Sequence, residues 1–430
     1  MATILRIGIN KTDITPLSPL PLAGFGHRRG PYEGIASNIY ARTLVLETTD
    51  SNTNVRTQGI IVSADVIWWG MDSVIRLQEE CTARWGISKE RCLFHATHSH
   101  GGPQTASNMT PTVGEIDLVY IGWLEQQVLG GIQAAMQRME QVTVEHGAAE
   151  CGFAMHRRKR INGKIEMAPN PDETIDREVN VVRFVNASNR TKALLFHYAC
   201  HPTTSDQQRL SSEFPGAASE LLEHRLGDET PALFLQGFSG DVRPNLVKEE
   251  QFYRGTQADI ERLGQELADV VSGVLCAPMR SMTPARLCGQ ICPVELPYQQ
   301  VSNREQLERY ALMDGIEGEW AALLMKQSDV QNRGAVAYFQ YFSFAEQLGF
   351  LTANGEFVSG YGLWIKQRTQ GRVLAVGYSN GMIGYVPTKR QLEEGGYEAA
   401  VSYRYFGLPG TFSYEIEQLL HDEWTTLLDL

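Results

Sequence analysis

The sequence predicts an α/β protein in which mixed, largely parallel sheet layers are flanked by helices, and three observations carry that expectation. Short apolar or alternating runs recur along the chain, most of them bounded by Gly, Asp, Asn or Pro, as strands are. Helical patterns lie between several of those runs, and strands alternating with helices build sheets covered on both faces. With 430 residues, 43% of them hydrophobic, the chain has enough apolar material for a large core.

The expected strands begin with 6–15, 40–48 and 58–68, and the pattern DSVIRLQEECTARW at 72–85 follows as the first helix. A strand at 92–99 precedes a helical stretch from Ile116 to Glu140, and two further strands cover 179–185 and 192–200. Beyond Pro215 a helix is expected over 216–226, then a strand at 231–238 and a helix at 256–275. A soft boundary falls at Ser281 to Pro284, where the long helix ends. After it come a helix over 304–324 and strands at 334–344 and 372–379. There is no internal repeat, low-complexity tract or linker. The expectation is a main α/β portion over 1–284 and a C-terminal subdomain over 285–430, together forming one catalytic unit.

Composition narrows the function. A net charge of −12, from 50 acidic and 38 basic residues, provides no positive field for nucleic acid or anionic lipid. No stretch approaches the roughly eighteen consecutive apolar residues of a membrane span. The opening MATILRIGINKTDIT lacks the basic and apolar regions of a secretory signal. Seven cysteines, odd in number and without C-x-x-C pairs, indicate reduced thiols. The expected protein is cytoplasmic, acts on a small molecule, and is compatible with a homo-oligomer.

Three segments gather residues that carry chemistry. CLFHATHSHGGP runs from an apolar strand into a Gly-rich turn and sets His95, His98 and His100 at its end, where sites collect in open α/β sheets. Along an extended chain His98 and His100 project to the same side, so one can bind a metal while the other faces a reacting group. KALLFHYACHPTT again ends a strand on a histidine, His201, followed by Pro202; His197 within that strand reads as a core histidine. LQGFSGDVRPN enters a third loop with Asp241 and Arg243 at its tip, either a structural turn or a loop whose backbone N–H groups hold an acyl group. Asp65, at another strand end, is a candidate to orient a ligand histidine. Trp68 and Trp69 beside it read as packing.

In this order the three segments resemble the catalytic domain of the neutral and alkaline (non-lysosomal) ceramidases. The opening IGINKTDITPLSPLPLAGFGHRRGPYEGIASNIYARTLVLE is similar to the start of that family, and the likeness extends from about Ile7 to about Gly407. The resemblance implies a zinc cofactor. Its first ligand is the leading histidine of T-H-x-H-x-G-P, here His98, while the second histidine, His100, contacts the reacting group. The H-P-T histidine, His201, is the next ligand, and the resemblance adds Glu356 from GEFVSGYG and Tyr385 from GYSNGMIGYVPT. Tyr397, followed by Glu398, matches a tyrosine that helps stabilise the oxyanion. Arg157 in AMHRRKR matches an arginine of the family.

Two departures bear on mechanism. The family's acyl loop reads G-D-x-S-P-N with serine as proposed nucleophile, whereas here Gly240-Asp241-Val242-Arg243-Pro244-Asn245 puts arginine at that position. The family also carries an immunoglobulin-like C-terminal domain and is typically exported, and neither feature is expected here. Arginine stays protonated and cannot attack, so zinc-bound hydroxide is the expected nucleophile. A planar fork of donors at residue 243 suits a carboxylate or phosphate, although an ion pair with Asp241 would serve only to shape the loop. The expectation is a zinc-dependent hydrolase of an amide, ester or lactone acyl bond in a small substrate. The alternatives are a ceramidase acting on N-acyl sphingoid bases and a catalytically silent zinc-binding protein.

Overall fold

The computed structural model describes residues 3–227, 229–326 and 334–429. The first sheet contains β1 (Thr3–Asp13), β2 (Tyr40–Asp50), β3 (Arg56–Ala64), β4 (Cys92–Ala96), β5 (Glu140–Glu150), β6 (Glu178–Asn186), β7 (Thr191–Tyr198) and β8 (Ala232–Gln236). Their order is β8-β7-β6-β5-β1-β2-β3-β4, with Arg280–Met282 also paired to β5. A second sheet holds β9 (Pro284–Val301), β10 (Gly334–Ala345), β11 (Leu348–Ala353), β12 (Val373–Val376) and β13 (Gly410–Phe412), in the order β12-β11-β10-β9-β13. The helices are α1 (Met71–Trp85), α2 (Leu118–Met136), α3 (Glu213–Leu226), α4 (Gln257–Cys276), α5 (Arg304–Tyr310), α6 (Ile316–Lys326), α7 (Ser359–Thr369), α8 (Lys389–Glu394) and α9 (Ile416–Leu427).

The α/β class with mixed sheets between helices holds, but the largely parallel pairing expected from the sequence does not. In the first sheet only β7–β8 and β3–β4 are parallel among the described residues; the other neighbours along its order run antiparallel. In the second sheet β11–β12 is the parallel pair. The physical reason is burial. Strands apolar on both faces are typical of parallel sheets, and here a second sheet and helices cover antiparallel strands equally well. β3 sends Ile60, Val62 and Ala64 to one face, beside Val74 and Leu77 of α1 and Val128 of α2, and Ile61 to the other. β7 and β8 direct Phe196 and Phe234 toward α3 and α4, and Leu195 and Leu235 toward Phe344, Phe350 and Val376 of the second sheet.

Two further differences are local. The single helix expected over 304–324 is divided into α5 and α6 at Gly315, which adopts φ +85°. β5 and β9 are partly solvated and alternate weakly, so neither stood out as an apolar run.

The first sheet curves until its two edges meet. The Gln236 N–H on β8 donates to His95 Nε2 on β4 over 2.9 Å, and Ser63 on β3 donates to the Phe234 carbonyl over 2.6 Å. Since His95 Nε2 accepts, its Nδ1 holds the proton and donates to Ser379 Oγ at 3.0 Å, and Ser379 passes the chain on to the Gly377 carbonyl. The same imidazole thereby joins both edges of the first sheet to the turn after β12.

A buried guanidinium ties the opposite face. Arg42 on β2, 1% exposed, donates to Asp65 at 2.9 Å and to Glu223 on α3 at 2.6 Å. Asp65 also accepts from the Tyr40 N–H, so it anchors the end of β3 and does not orient a histidine. Removing one partner of such a buried network strands the remaining charges. The Arg42→Ala variant is expected to lose about 3–5 kcal/mol of unfolding free energy in a denaturant titration. His95 generates a second expectation. Burial pushes its imidazole down to about 3, so below the unfolded value of about 6.5 the unfolded chain takes up a proton that the folded chain refuses. Stability is therefore lost as pH falls from about 6.5 toward 3, by about 1 kcal/mol per unit from this residue. Urea titrations at pH 7 and 5, repeated on His95→Gln, measure that slope.

Candidate metal centre

The chain leaves β4 at Ala96 and crosses to the end of β3, where the Thr97 N–H donates to the Ala64 carbonyl. His98 then takes φ +64°, a left-handed conformation that a residue with a Cβ adopts only under constraint. Its ring stacks on Tyr378 with centroids 4.0 Å apart. His100 lies against Gly24 (φ +91°), where any Cβ would collide with its Nδ1. His201 follows β7, and its N–H donates to the Val242 carbonyl at 3.2 Å. The histidines thus arrive from two strands that lie far apart along the sheet order and are brought together by edge closure.

The three imidazoles meet at their Nε2 atoms. His98 and His201 approach to 2.8 Å, and His100 lies 3.2 Å from each. Glu356 Oε2 lies 3.4 Å from His98 Nε2 and 3.6 Å from His201 Nε2. The partners on the far side of two rings define this contact. His98 Nδ1 faces the Ile67 carbonyl at 2.7 Å and His201 Nδ1 faces the Ser239 carbonyl at 3.4 Å. A carbonyl only accepts, so both Nδ1 atoms hold the proton and both Nε2 atoms present lone pairs to each other. Two converging lone pairs beside a carboxylate repel unless a cation lies among them, and imidazole oriented by a carbonyl is a favoured ligand for divalent metals. The donor set fits a metal ion. Burial, reinforced by His98, holds the His100 and His201 imidazoles well below the ordinary range, which keeps them neutral and able to bind.

Glu356 enters through a short parallel bridge, Glu356–Phe357 against Tyr385–Val386, which sets Glu356 opposite Tyr385. The Tyr385 ring lies parallel to His201 at 6.4 Å, and its hydroxyl accepts from Arg157 Nη2 at 3.2 Å. Arg157 also donates through Nε to Glu398 at 2.8 Å, and its guanidinium lies 5.8 Å from the Tyr397 ring centroid. Arg158 donates to the other Glu398 oxygen at 2.7 Å. Burial raises the Tyr385 and Tyr397 phenols, which favours the protonated, donating form.

Tyr378 was absent from the sequence expectation. Its hydroxyl lies 3.5 Å from both Glu356 Oε2 and His201 Nδ1. The run Gly377-Tyr378-Ser379-Asn380 carried the only available signal, a turn in which Tyr378 and Asn380 both take positive φ.

The third loop differs from its expected use. Gly237, Gly240 and Val242 spend their N–H groups on the Tyr198, Phe357 and Ser239 carbonyls, which leaves these three unable to hold an acyl group. Asp241 does not join the histidines. It accepts from the Ser359 N–H at 2.7 Å, from Gln391 Nε2 at 2.7 Å and faces His156 Nε2 at 3.2 Å, locking the loop to α7 and α8. Nor does it pair with Arg243, whose guanidinium stacks on Phe252 at 4.4 Å. A cleft of about 540 Å³ is lined by Asp241, His156 and Arg390, and none of His98, His100 and His201 lines it. His197 Nε2 donates to the Ala375 carbonyl at 2.8 Å as a core histidine, and Trp68 and Trp69 are packed.

Elemental analysis tests the centre. The purified protein is expected to retain about one divalent metal per chain, and His98→Ala or His201→Ala to retain less than about a tenth of that with an unchanged circular dichroism spectrum. Metal retained in both variants would place the ion elsewhere.

Comparisons with known proteins agree with this architecture. A neutral ceramidase from Pseudomonas aeruginosa superposes with a TM-score of 0.77 at 20% identity, covering 100% of this chain and 75% of that one. A ceramidase complexed with C2 gives 0.73 at 18% identity, covering 99% and 75%. At such identities the likeness is one of fold. No curated protein sequence matches the chain. The family model described as neutral/alkaline non-lysosomal ceramidase, N-terminal, matches residues 5–263, and on that match, over more than half its length, the chain belongs to the neutral/alkaline non-lysosomal ceramidase family.

Proposed function

We propose that the protein is a zinc-dependent hydrolase of an acyl bond, an amide or the related ester or lactone, in a small substrate. The observation that carries this reading is the convergence of the His98, His100 and His201 Nε2 atoms within 3.2 Å of one another beside Glu356. His98, His201 and Glu356, with Tyr385 behind them, would hold the ion, so residues 285–430 complete a site begun by 1–284. Bound zinc lowers the pKa of a water to about 7 and polarises a carbonyl.

The remaining roles belong to side chains. His98 and His201 are pinned by backbone carbonyls, whereas His100 Nδ1 has no hydrogen-bond partner among the described residues. His100 is therefore the imidazole free to change tautomer, taking the proton that water loses and returning it to the leaving group. Tyr397, held protonated by burial, donates to the oxyanion. Arg157 positions Tyr385 and Glu398 through its fork of donors. Water is the nucleophile because residue 243 is arginine. We place the protein in the cytoplasm, a reading supported by seven cysteines that all remain free thiols.

The decisive experiment is metal analysis coupled to an activity screen over N-acyl amino acids, small amides, lactones and ceramides. Chelation is expected to abolish turnover and zinc to restore it. His100→Ala is expected to retain zinc and lose about 10²–10⁴ in kcat. Full turnover in a His98→Ala or Glu356→Gln protein that has lost its metal would sink the proposal.

A further inference from the structure

Beyond the metal centre, the third loop carries a buried arginine at its tip. Arg243 is 4% exposed, and its guanidinium makes no hydrogen bond or ion pair to any described residue. Nε and Nη2 are completely buried without acceptors. Its guanidinium stacks on the face of Phe252. A buried, unpaired charge is among the most unfavourable features a fold can retain, which makes a missing counter-ion the natural explanation.

The surroundings define that counter-ion. Arg28, Arg243 and Arg254 all lie within electrostatic reach of Glu213, and Asp206 faces Arg28 and Arg254. Arg254 reaches Asp206 at 3.6 Å, and Arg28 donates to the carbonyls of Asp206, Gln207 and His100. Glu213 accepts from the Ser205 N–H at 3.0 Å. Arg28 and Arg254 thus have partners of their own, whereas Arg243 has no carboxylate, carbonyl or hydroxyl on its guanidinium among the described residues. Burial first, then Arg254 and Arg157, pushes Arg243 down to about 9, so it stays charged at neutral pH.

The cluster shares a wall with the metal centre. The Phe25 ring lies 4.9 Å from the His100 ring, with Arg28 at 4.7 Å and Arg254 at 4.6 Å on it. Val242, next to Arg243, accepts from the N–H of His201. Arg254 is partly exposed and connects the cluster to solvent-facing Asp206.

We propose that Arg243, supported by Arg254, binds a carboxylate on the substrate's leaving half, so that the substrate class is the N-acyl amino acid. The proposal rests on the hydrolase reading of the adjoining site. One guanidinium without a partner matches the planar, two-oxygen acceptor of one carboxylate. In the reaction the acyl C–N bond breaks, water delivers its hydroxyl to the acyl carbon and its proton to nitrogen, and a carboxylic acid and an amino acid leave with no further reactant.

The experiment compares N-hexanoylglycine, neutral N-hexanoylethanolamine and the phosphonate N-hexanoyl-aminomethylphosphonate on the zinc-loaded protein. The carboxylate is expected to have the highest kcat/KM, by roughly thirtyfold over the neutral amide, the difference lying in KM. In Arg243→Gln that ratio is expected to collapse toward one, with partial recovery in Arg243→Lys. A ratio unchanged in Arg243→Gln overturns the proposal, and a preference for the phosphonate overturns its carboxylate assignment. Calorimetric binding of the same compounds to His100→Ala keeps the two readings separate. Binding to this variant that prefers the carboxylate and depends on Arg243, when the unsubstituted zinc-loaded protein hydrolyses none of the three, would support the subsite while removing the hydrolase; equal binding of all three would remove the subsite alone.

Discussion

The closure of the first sheet on itself is the constraint from which the rest of the structure follows. β4 and β8 stand at opposite ends of the strand order, and without closure the histidines following β4 and β7 would be separated by the width of the sheet. His95 makes the join because its two nitrogens serve different partners, a backbone donor on β8 and a hydroxyl on the turn after β12. Such a bridge works only with a neutral ring of one tautomer, and complete burial enforces that state. The same imidazole therefore connects the edges of one sheet and attaches the second.

A lattice of buried ionic and polar groups surrounds this join. Arg42 unites Asp65 and Glu223, Arg157 and Arg158 grip both oxygens of Glu398, and Asp241 gathers three donors from three elements. Each carboxylate in this set is satisfied, as buried charges must be. These groups hold loops that contain little regular structure, so the chain can place Glu356, Tyr378 and Tyr385 beside the histidines without long strands leading to them. Against that background Arg243, with no hydrogen bond or ion pair to any described residue, stands out.

The site's electrostatics divide into two neighbouring fields. Lone pairs of three imidazoles and the Glu356 carboxylate create a pocket that attracts a cation. A few ångströms behind Phe25, guanidiniums create one that attracts an anion. Phe25 lies between them, its ring 4.9 Å from the His100 ring and 4.7 Å from the Arg28 guanidinium. An elongated molecule with a polarisable carbonyl at one end and a negative group at the other would be oriented by this arrangement before any contact specific to its carbon skeleton.

Much of this was legible in the residue order, and the remainder shows where such reading stops. Apolar runs placed β3, β4, β7 and β8 because their both-face burial leaves a continuous hydrophobic record, and Thr97-His98-Ser99-His100 and His201-Pro202 marked strand ends through local chemistry alone. The direction of strand pairing was not recorded there, since an antiparallel strand covered by a second sheet is as apolar as a parallel one covered by helices. Nor was the fate of Asp241, which depends on donors from residues 156, 359 and 391. Tyr378 came to light only when the turn after β12 met the histidines. The sequence alone determined which side chains were chemically able to bind a metal. Tertiary structure decided which of them point at one another and which charge lacks a partner, because both depend on contacts between residues hundreds of positions apart.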